Sequence, residues 1–367
     1  MNVRRVTGLT AVVAGAVLLA ACSGGGGKPA VPPHLPLYVN PSSAPATAAH
    51  QLDQQGNKGE AEVLQQVAAV PMAFWAAGQP GDVKAVARYA AAAAKAHQVG
   101  EVVLYNIPHR DLCGQFSSGG QTADSYKRWV ASITNVINAA GGQMVVIVEP
   151  DALPDVLPPR IAQCNVTTAE VNARFQELRL AMWALSDSPN IHAYLDAGNP
   201  GMIGDPQSMA SALIKAGITF GAGFSANVSN FYPTDYMAAW AHQLRWALQQ
   251  AANNPAELGK LLHQAKIDVP VAQAQLALRQ ALAVIDVSRN GSGAPADPAN
   301  WCNPPGRTLG QAPILAPWNQ ALQGYPDVAG LLRIKTPGVS DGSCNGGPAA
   351  GEFWPDYAVG LAKGGTP

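Results

Sequence analysis

Short apolar runs and longer amphipathic stretches alternate along this 367-residue chain. The apolar runs are Val102–Tyr105, Met144–Val148, His192–Leu195, Thr219–Phe224 and Ala283–Asp286. Between them lie alanine-rich stretches with helical spacing of apolar positions, at Val83–Ala96, Asp124–Ala139, Thr168–Ser186 and Pro206–Ala216. A strand that repeatedly gives way to a helix predicts parallel strands joined by crossover helices, because a parallel neighbour is reached only by a long return connection. A further helical stretch, rich in Ala and Gln, runs from Trp240 to Gln280 and is long for a single crossover. No fixed-period repeat is present.

Each apolar run is followed at once by polar, Gly- or Pro-bearing sequence, and in such folds ligands sit at the carboxyl ends of the strands. Five aspartates fall there: Asp111, Asp151, Asp196, Asp286 and Asp341. Acids crowded on one rim repel one another, which lets one carboxyl keep its proton while another stays ionised. That division of labour suits glycoside hydrolysis, in which one carboxyl protonates the leaving oxygen and a second activates water. Trp75, Trp301 and Tyr105 lie close to these segments and offer flat apolar faces for sugar rings. Taken singly, each Trp reads more simply as a packing residue and each Asp as a helix cap or loop acceptor. The joint pattern is what points to a sugar site.

Composition narrows the partners. Lys+Arg 23 against Asp+Glu 24 leaves a formal charge of −1, so no basic footprint for nucleic acid exists. Gly 37 and Pro 30 make about 18% of the chain, below the roughly 25–30% of low-complexity sequence, and 48% hydrophobic content supplies a core. The amino terminus departs from this average: Arg4 and Arg5, an apolar run from Val6 to Ala20, then Ala21-Cys22. This is the layout of an export signal, too short for a comfortable membrane span. Small residues ahead of Cys22 resemble a bacterial lipobox, in which Cys22 is lipidated. We expect a lipoprotein signal over 1–22, a flexible Gly- and Pro-rich linker over 23–37, and one catalytic domain over 38–367. Cys113, Cys164, Cys302 and Cys344 are then an even set in an exported protein, consistent with disulfides in any of three pairings. They show no zinc-type spacing.

Seven blocks in order, YNIPHRDLCG with its following SGG, VEPDALP, YLDAG, GFSANVSNF, IDVSRNGSG, NWCNPPGRTLG and IKTPGVSDGSC, resemble the signatures of glycoside hydrolase family 6, the inverting cellulases. The resemblance spans roughly residues 70 to 360. It implies an α/β fold, a distorted (β/α) barrel of parallel strands with a cleft at their C-terminal ends. By the same resemblance Asp151 is the general acid, Asp111 the neighbour that keeps it protonated, Tyr105 the residue pressing on the sugar, and Ser118 the holder of the water chain. Asp341 matches the candidate base, with a relay through water as the alternative. Asp196 and Arg110 match supporting positions. Trp75, Trp301 and Lys335 match donor-side sugar contacts, Asn230 a further ligand contact, and Asn199 the leaving-group side. The family's pairing implies Cys113–Cys164 and Cys302–Cys344. No metal or cofactor is implied, and a monomer is expected, touching membrane only through its lipid.

The departures from the family pattern are specific. Asn199 stands where the family has His and Met202 where it has a stacking Trp, while Val339 replaces a sugar-binding Glu. Leu112 lengthens the loop between Asp111 and Cys113. Two functions are compatible with this: an inverting β-1,4-glucanase, or a cell-surface carbohydrate binder or hydrolase of another envelope glycan on a degenerate scaffold. Retention of Asp111, Asp151 and Asp341 favours the enzyme.

Overall fold

The computed structural model describes residues 34–112 and 116–364. In chain order the elements are α1 (Ala44–Gln54), α2 (Lys58–Ala68), β1 (Phe74–Ala76), α3 (Asp82–Lys95), β2 (Gly100–Leu104), α4 (Ala123–Ala140), β3 (Met144–Val148), α5 (Arg160–Gln163), α6 (Thr168–Ser186) and β4 (Ile191–Asp196). There follow α7 (Pro206–Lys215), β5 (Gly223–Ala226), α8 (Thr234–Ala252), α9 (Pro255–Gln264), α10 (Val271–Gln280), β6 (Leu282–Asp286), β7 (Ile314–Leu315), β8 (Val328–Leu332) and α11 (Pro355–Ala362). The strands form one eight-stranded sheet in the order β1-β2-β3-β4-β5-β6-β8-β7, parallel throughout except for the antiparallel β7 edge. The expected α/β fold with a distorted parallel barrel is therefore present, as a curled sheet.

The ladder does not close, but the seam is stitched. Beside β1, Ala73 N–H donates to the Arg333 carbonyl just past β8 (3.0 Å), and the Trp75 indole N–H donates to the Ile334 carbonyl (2.7 Å). At the other end of the strands, Leu35 N–H donates to Leu315 O and Val99 N–H to Pro36 O. This corrects the linker expected over 23–37: Leu35 to Leu37 are a strap tied by backbone bonds, with Leu37 7% exposed. Composition alone could not reveal that these few residues find sheet partners.

Side-chain alternation along the strands sorts the core into two layers. Val102, Leu104, Val146, Val148, Leu195, Phe224 and Ile285 face the helices, whereas Val103, Val145, Ile147, Tyr194, Val284 and Leu332 fill the barrel interior. Helix ends follow local chemistry: Thr167 and Glu170 cap α6 reciprocally, and Asp205 with Pro206 starts α7. Two expectations are corrected. The run Thr219–Phe224 is a single tight turn, Ile218–Phe220, and the strand starts only at Gly223. A Cβ on Gly223 would lie 1.9 Å from the Leu282 carbonyl, so only glycine permits this approach. The stretch 240–280 is three helices, α8 to α10, broken at Asn254-Pro255 and Pro270.

Candidate active site

The loop after β2 is shaped by buried charge. Glu149, at the end of β3, accepts from the backbone N–H of Asn106 (2.9 and 3.1 Å) and of Ile107 (3.1 Å), and burial pushes its carboxyl up to about 7. Arg110 folds back on the same loop, donating to the carbonyls of Ser117 (2.8 Å), Ala77 (3.0 Å) and Tyr105 (2.5 Å), with its guanidinium 4.5 Å from the Tyr105 ring centre. Arg110 thus packs on the ring of Tyr105 and ties down its carbonyl. The Asp111 carboxylate accepts from the N–H groups of Ser117 (2.9 Å) and Phe116 (3.3 Å). Glu149, Asp151 and Asp111 all have positive φ (50°, 66° and 56°), a backbone that non-glycine residues hold only where surrounding contacts impose it.

Asp151 sits at the focus. Its backbone N–H donates to Asp196 (3.0 Å), whose carboxylate also accepts from Gly198 N–H (3.0 Å) and the Ser225 hydroxyl (2.9 Å). Asp196 is fully buried beneath the site, and burial raises its carboxyl to about 6 although these three donors favour the ionised form. Burial first, then Asp196 and Asp155, drive the Asp151 carboxyl well above the usual range, with Arg160 opposing and Asp111 adding a smaller push. The neighbour singled out by resemblance, Asp111, is therefore the least of these influences. Arg174, 2% exposed on α6, joins the two catalytic loops by donating to Pro108 O (3.0 Å), His109 O (2.8 Å) and Ala152 O (3.2 Å).

Across the cleft Asp341 has the opposite environment. Arg289 binds it through two nitrogens (2.8 and 3.1 Å), Lys335 Nζ lies at 3.0 Å, and Asn303 N–H donates at 3.1 Å. Burial opposes ionisation here, but the two cations win and hold the carboxyl down at about 2. Asp286, the fifth strand-end acid, is structural: it accepts from the N–H groups of Ser229, Ser288, Ile334 and Lys335 (2.9 to 3.2 Å) and so fixes the chain that carries Lys335. Lys335 Nζ also stands 5.8 Å from the Trp75 ring centre, and Trp75 meets Tyr105 edge-on at 5.3 Å.

A cleft of about 270 Å³ brings together Tyr105, Asp111, Asp151, Asn199, Asn230, Trp301 and Asp341 from the expected set. Asp155, Arg160, Met202, Ser229 and Tyr232 complete much of its wall. Trp75, Lys335, Arg110 and Asp196 do not line the cleft but contact residues that do, and Ser118 is exposed on its loop outside the lining. Asn199 is turned inward to accept from Gly201 and Met202 N–H (2.9 and 3.2 Å). Val339 is half-buried and bridged to Phe353, and Leu112 packs on the helix-side core. The Cys302–Cys344 disulfide is formed. Cys113 and Cys22 lie outside the described residues.

Sequence reasoning did not assign Arg289, Arg174, Asn303, Tyr232 or the Asp155–Arg160 ion pair (2.9 Å). Arg174 had a signal: it interrupts the otherwise apolar face of α6 formed with Leu178, Ala181, Met182 and Leu185. Arg289 had only its place straight after a strand end.

A curled parallel sheet whose rim sets a proton-retaining carboxyl opposite an ionised one, between aromatic walls, defines a glycoside hydrolase that works through acidic residues. The model of glycosyl hydrolases family 6 matches residues 33–365, and the chain belongs to that family. It is 33% identical to Endoglucanase 1 of Streptomyces halstedii over 336 residues, 89% of this chain and 88% of that protein. Endoglucanase A of Cellulomonas fimi is 30% identical over 89% of this chain, which spans 61% of that longer relative. Among solved structures, endoglucanase Cel6 of Mycobacterium tuberculosis, in complex with methyl-cellobiosyl-4-deoxy-4-thio-beta-D-cellobioside, superposes with a TM-score of 0.70 at 33% identity, covering 90% of this chain and 97% of that one.

Proposed function

We propose that this protein hydrolyses β-1,4-linked glucan with inversion at the anomeric carbon, and that Asp151 delivers the proton to the departing sugar oxygen. The observation that carries this assignment is the Asp151 environment. Burial, then the neighbouring Asp196 and Asp155, raise this carboxyl well above the ordinary aspartate range, which favours the protonated state a general acid must start from. Asp341, ionised down to about pH 2, is the complementary charge. So acidic a carboxyl is a weak base, which favours the relay: Asp341 balances positive charge growing on the sugar and receives the water's proton through intervening water. Asp111 and Ser118 hold that water, and Tyr105, steadied by Arg110, presses the ring at the cleavage point. Trp75, Trp301, Lys335 and Asn230 serve the nonreducing side, and Asn199 the leaving-group side. The pure binding role loses ground, since an acid shifted toward its protonated form facing a carboxylate held ionised is a division of labour that chemistry uses and binding does not need.

Replacement of Asp151 by Ala is expected to lower kcat on cellohexaose by about 10²–10⁴-fold while binding of the same sugar stays measurable by calorimetry. Product anomers followed by NMR at early times should be α. A wild-type protein that releases no sugar from any β-glucan, or yields β-anomers first, would sink the proposal. We further infer export and lipid attachment at Cys22, an inference supported by the amino-terminal sequence alone.

A further inference from the structure

The leaving-group side of the cleft presents Met202 where relatives of the family pattern have a stacking aromatic, yet it is not bare of aromatic surface. Tyr232 lines the cleft beside Asn199, Gly201 and Met202, and its ring packs on Tyr236 with centres 5.6 Å apart and planes at 29°. That separation exceeds the roughly 3.5–4.0 Å of carbon contact, so the rings are slid past one another and each keeps uncovered surface. Tyr236, 52% exposed, does not line the cleft itself but adjoins its wall through the contact with Tyr232.

The arrangement is held in place. Asn227 and Asn290 each donate to the Tyr232 carbonyl (3.1 Å), and Tyr232 N–H donates to Asn227 Oδ1 (3.2 Å). Asn290 also bonds the Thr234 hydroxyl (3.2 Å), anchoring the first turn of α8 that carries Tyr236. Gly201 makes room: a Cβ there would lie 2.1 Å from the Tyr232 hydroxyl. Tyrosines with rigid backbones offer broad contact area at small entropic cost, the property a sugar platform needs. Trp183 and Trp246, the other widely exposed aromatics of the helical layer, do not line the cleft.

We propose that Tyr232 and Tyr236 form a binding subsite for pyranose rings of the leaving-group portion of the glucan, supplied by the start of α8 instead of the segment that holds Met202. The subsite rests on the β-glucan reading of the cleft. The catalytic carboxyls act on the bond being broken, whereas these rings select chains long enough to reach them.

The test compares cellotetraose with cellohexaose. Tyr236→Ala should lower kcat/KM on cellohexaose about fivefold, chiefly through KM, with a smaller loss on cellotetraose, and Tyr236→Phe should restore most of it. Tyr232→Ala should behave similarly, with Tyr232→Phe as its check against misfolding. Equal losses at both lengths, or none at either, overturn the subsite. The hydrolytic reading is judged separately, on the wild type alone. If wild type cleaves neither sugar, calorimetric titration with cellohexaose decides: weaker binding by Tyr236→Ala supports the subsite, and equal affinity or no binding overturns it.

Discussion

Asp341 owes its charge to two cations that meet it from different strands' ends, Arg289 through a two-point grip and Lys335 at 3.0 Å. Arg289→Met should leave a buried carboxylate with Lys335 as its one remaining cation, at a cost of about 3–5 kcal/mol in urea unfolding at neutral pH. The sign with pH follows from the depressed value. Asp341 in the fold titrates at about 2, below an unfolded aspartate at about 3.9, so its contribution is present above about pH 4 and fades as pH falls through 2. In the variant that fading should begin at higher pH; melts at pH 3 that track wild type would remove Arg289 as the partner. At this scale Asp151 and Asp341 were legible, because each lies inside a distinctive block. What sets their opposite protonation was only partly legible, since Asp196 and Arg289 act from 45 and 52 positions away in the chain.

Between elements, Arg174 is the brace that makes one site out of two loops. A guanidinium can reach three carbonyls from a fixed fork, and a Lys ammonium cannot reproduce that geometry. Arg174→Lys is therefore expected to lower kcat by up to about 10²-fold with little change in KM, as the Asp111 and Asp151 loops lose their mutual register. Stopped assays alongside circular dichroism check it, and an unchanged kcat in a folded variant would refute the brace. Periodicity located β3 and α6 to the residue, because each is a clean run bounded by polar or capping residues. It did not find β7 and β8, where two- and five-residue strands hide in Gly- and Pro-rich sequence, nor α1 and α2, whose partner α11 is remote in the chain.

At the scale of the molecule, the barrel interior carries an acid that the proposed chemistry does not use. Glu101 is buried, neither of its oxygens has a partner among the described residues, and burial together with Asp286 pushes it up to about 8. A raised carboxyl binds its proton more tightly folded than unfolded, so stability falls as pH rises from about 4.5 to about 8 and is level beyond. Thermal melts should show Tm lower at pH 8 than at pH 5 by several degrees, and Glu101→Gln should shrink that gap. A gap of the same size in the variant would mean that other buried acids set it, Glu149 foremost. Composition, block order and alternation along the chain determined the parallel α/β class, the family and the residues at the strand ends, because these depend on local pattern and neighbouring chemistry. Only the tertiary structure decided which aspartates face the cleft and which brace it, where Arg289 and Arg174 act, and what replaces the aromatic missing at Met202. Those outcomes turn on burial and on contacts between distant segments, and a buried charge takes its meaning from whatever the fold packs against it.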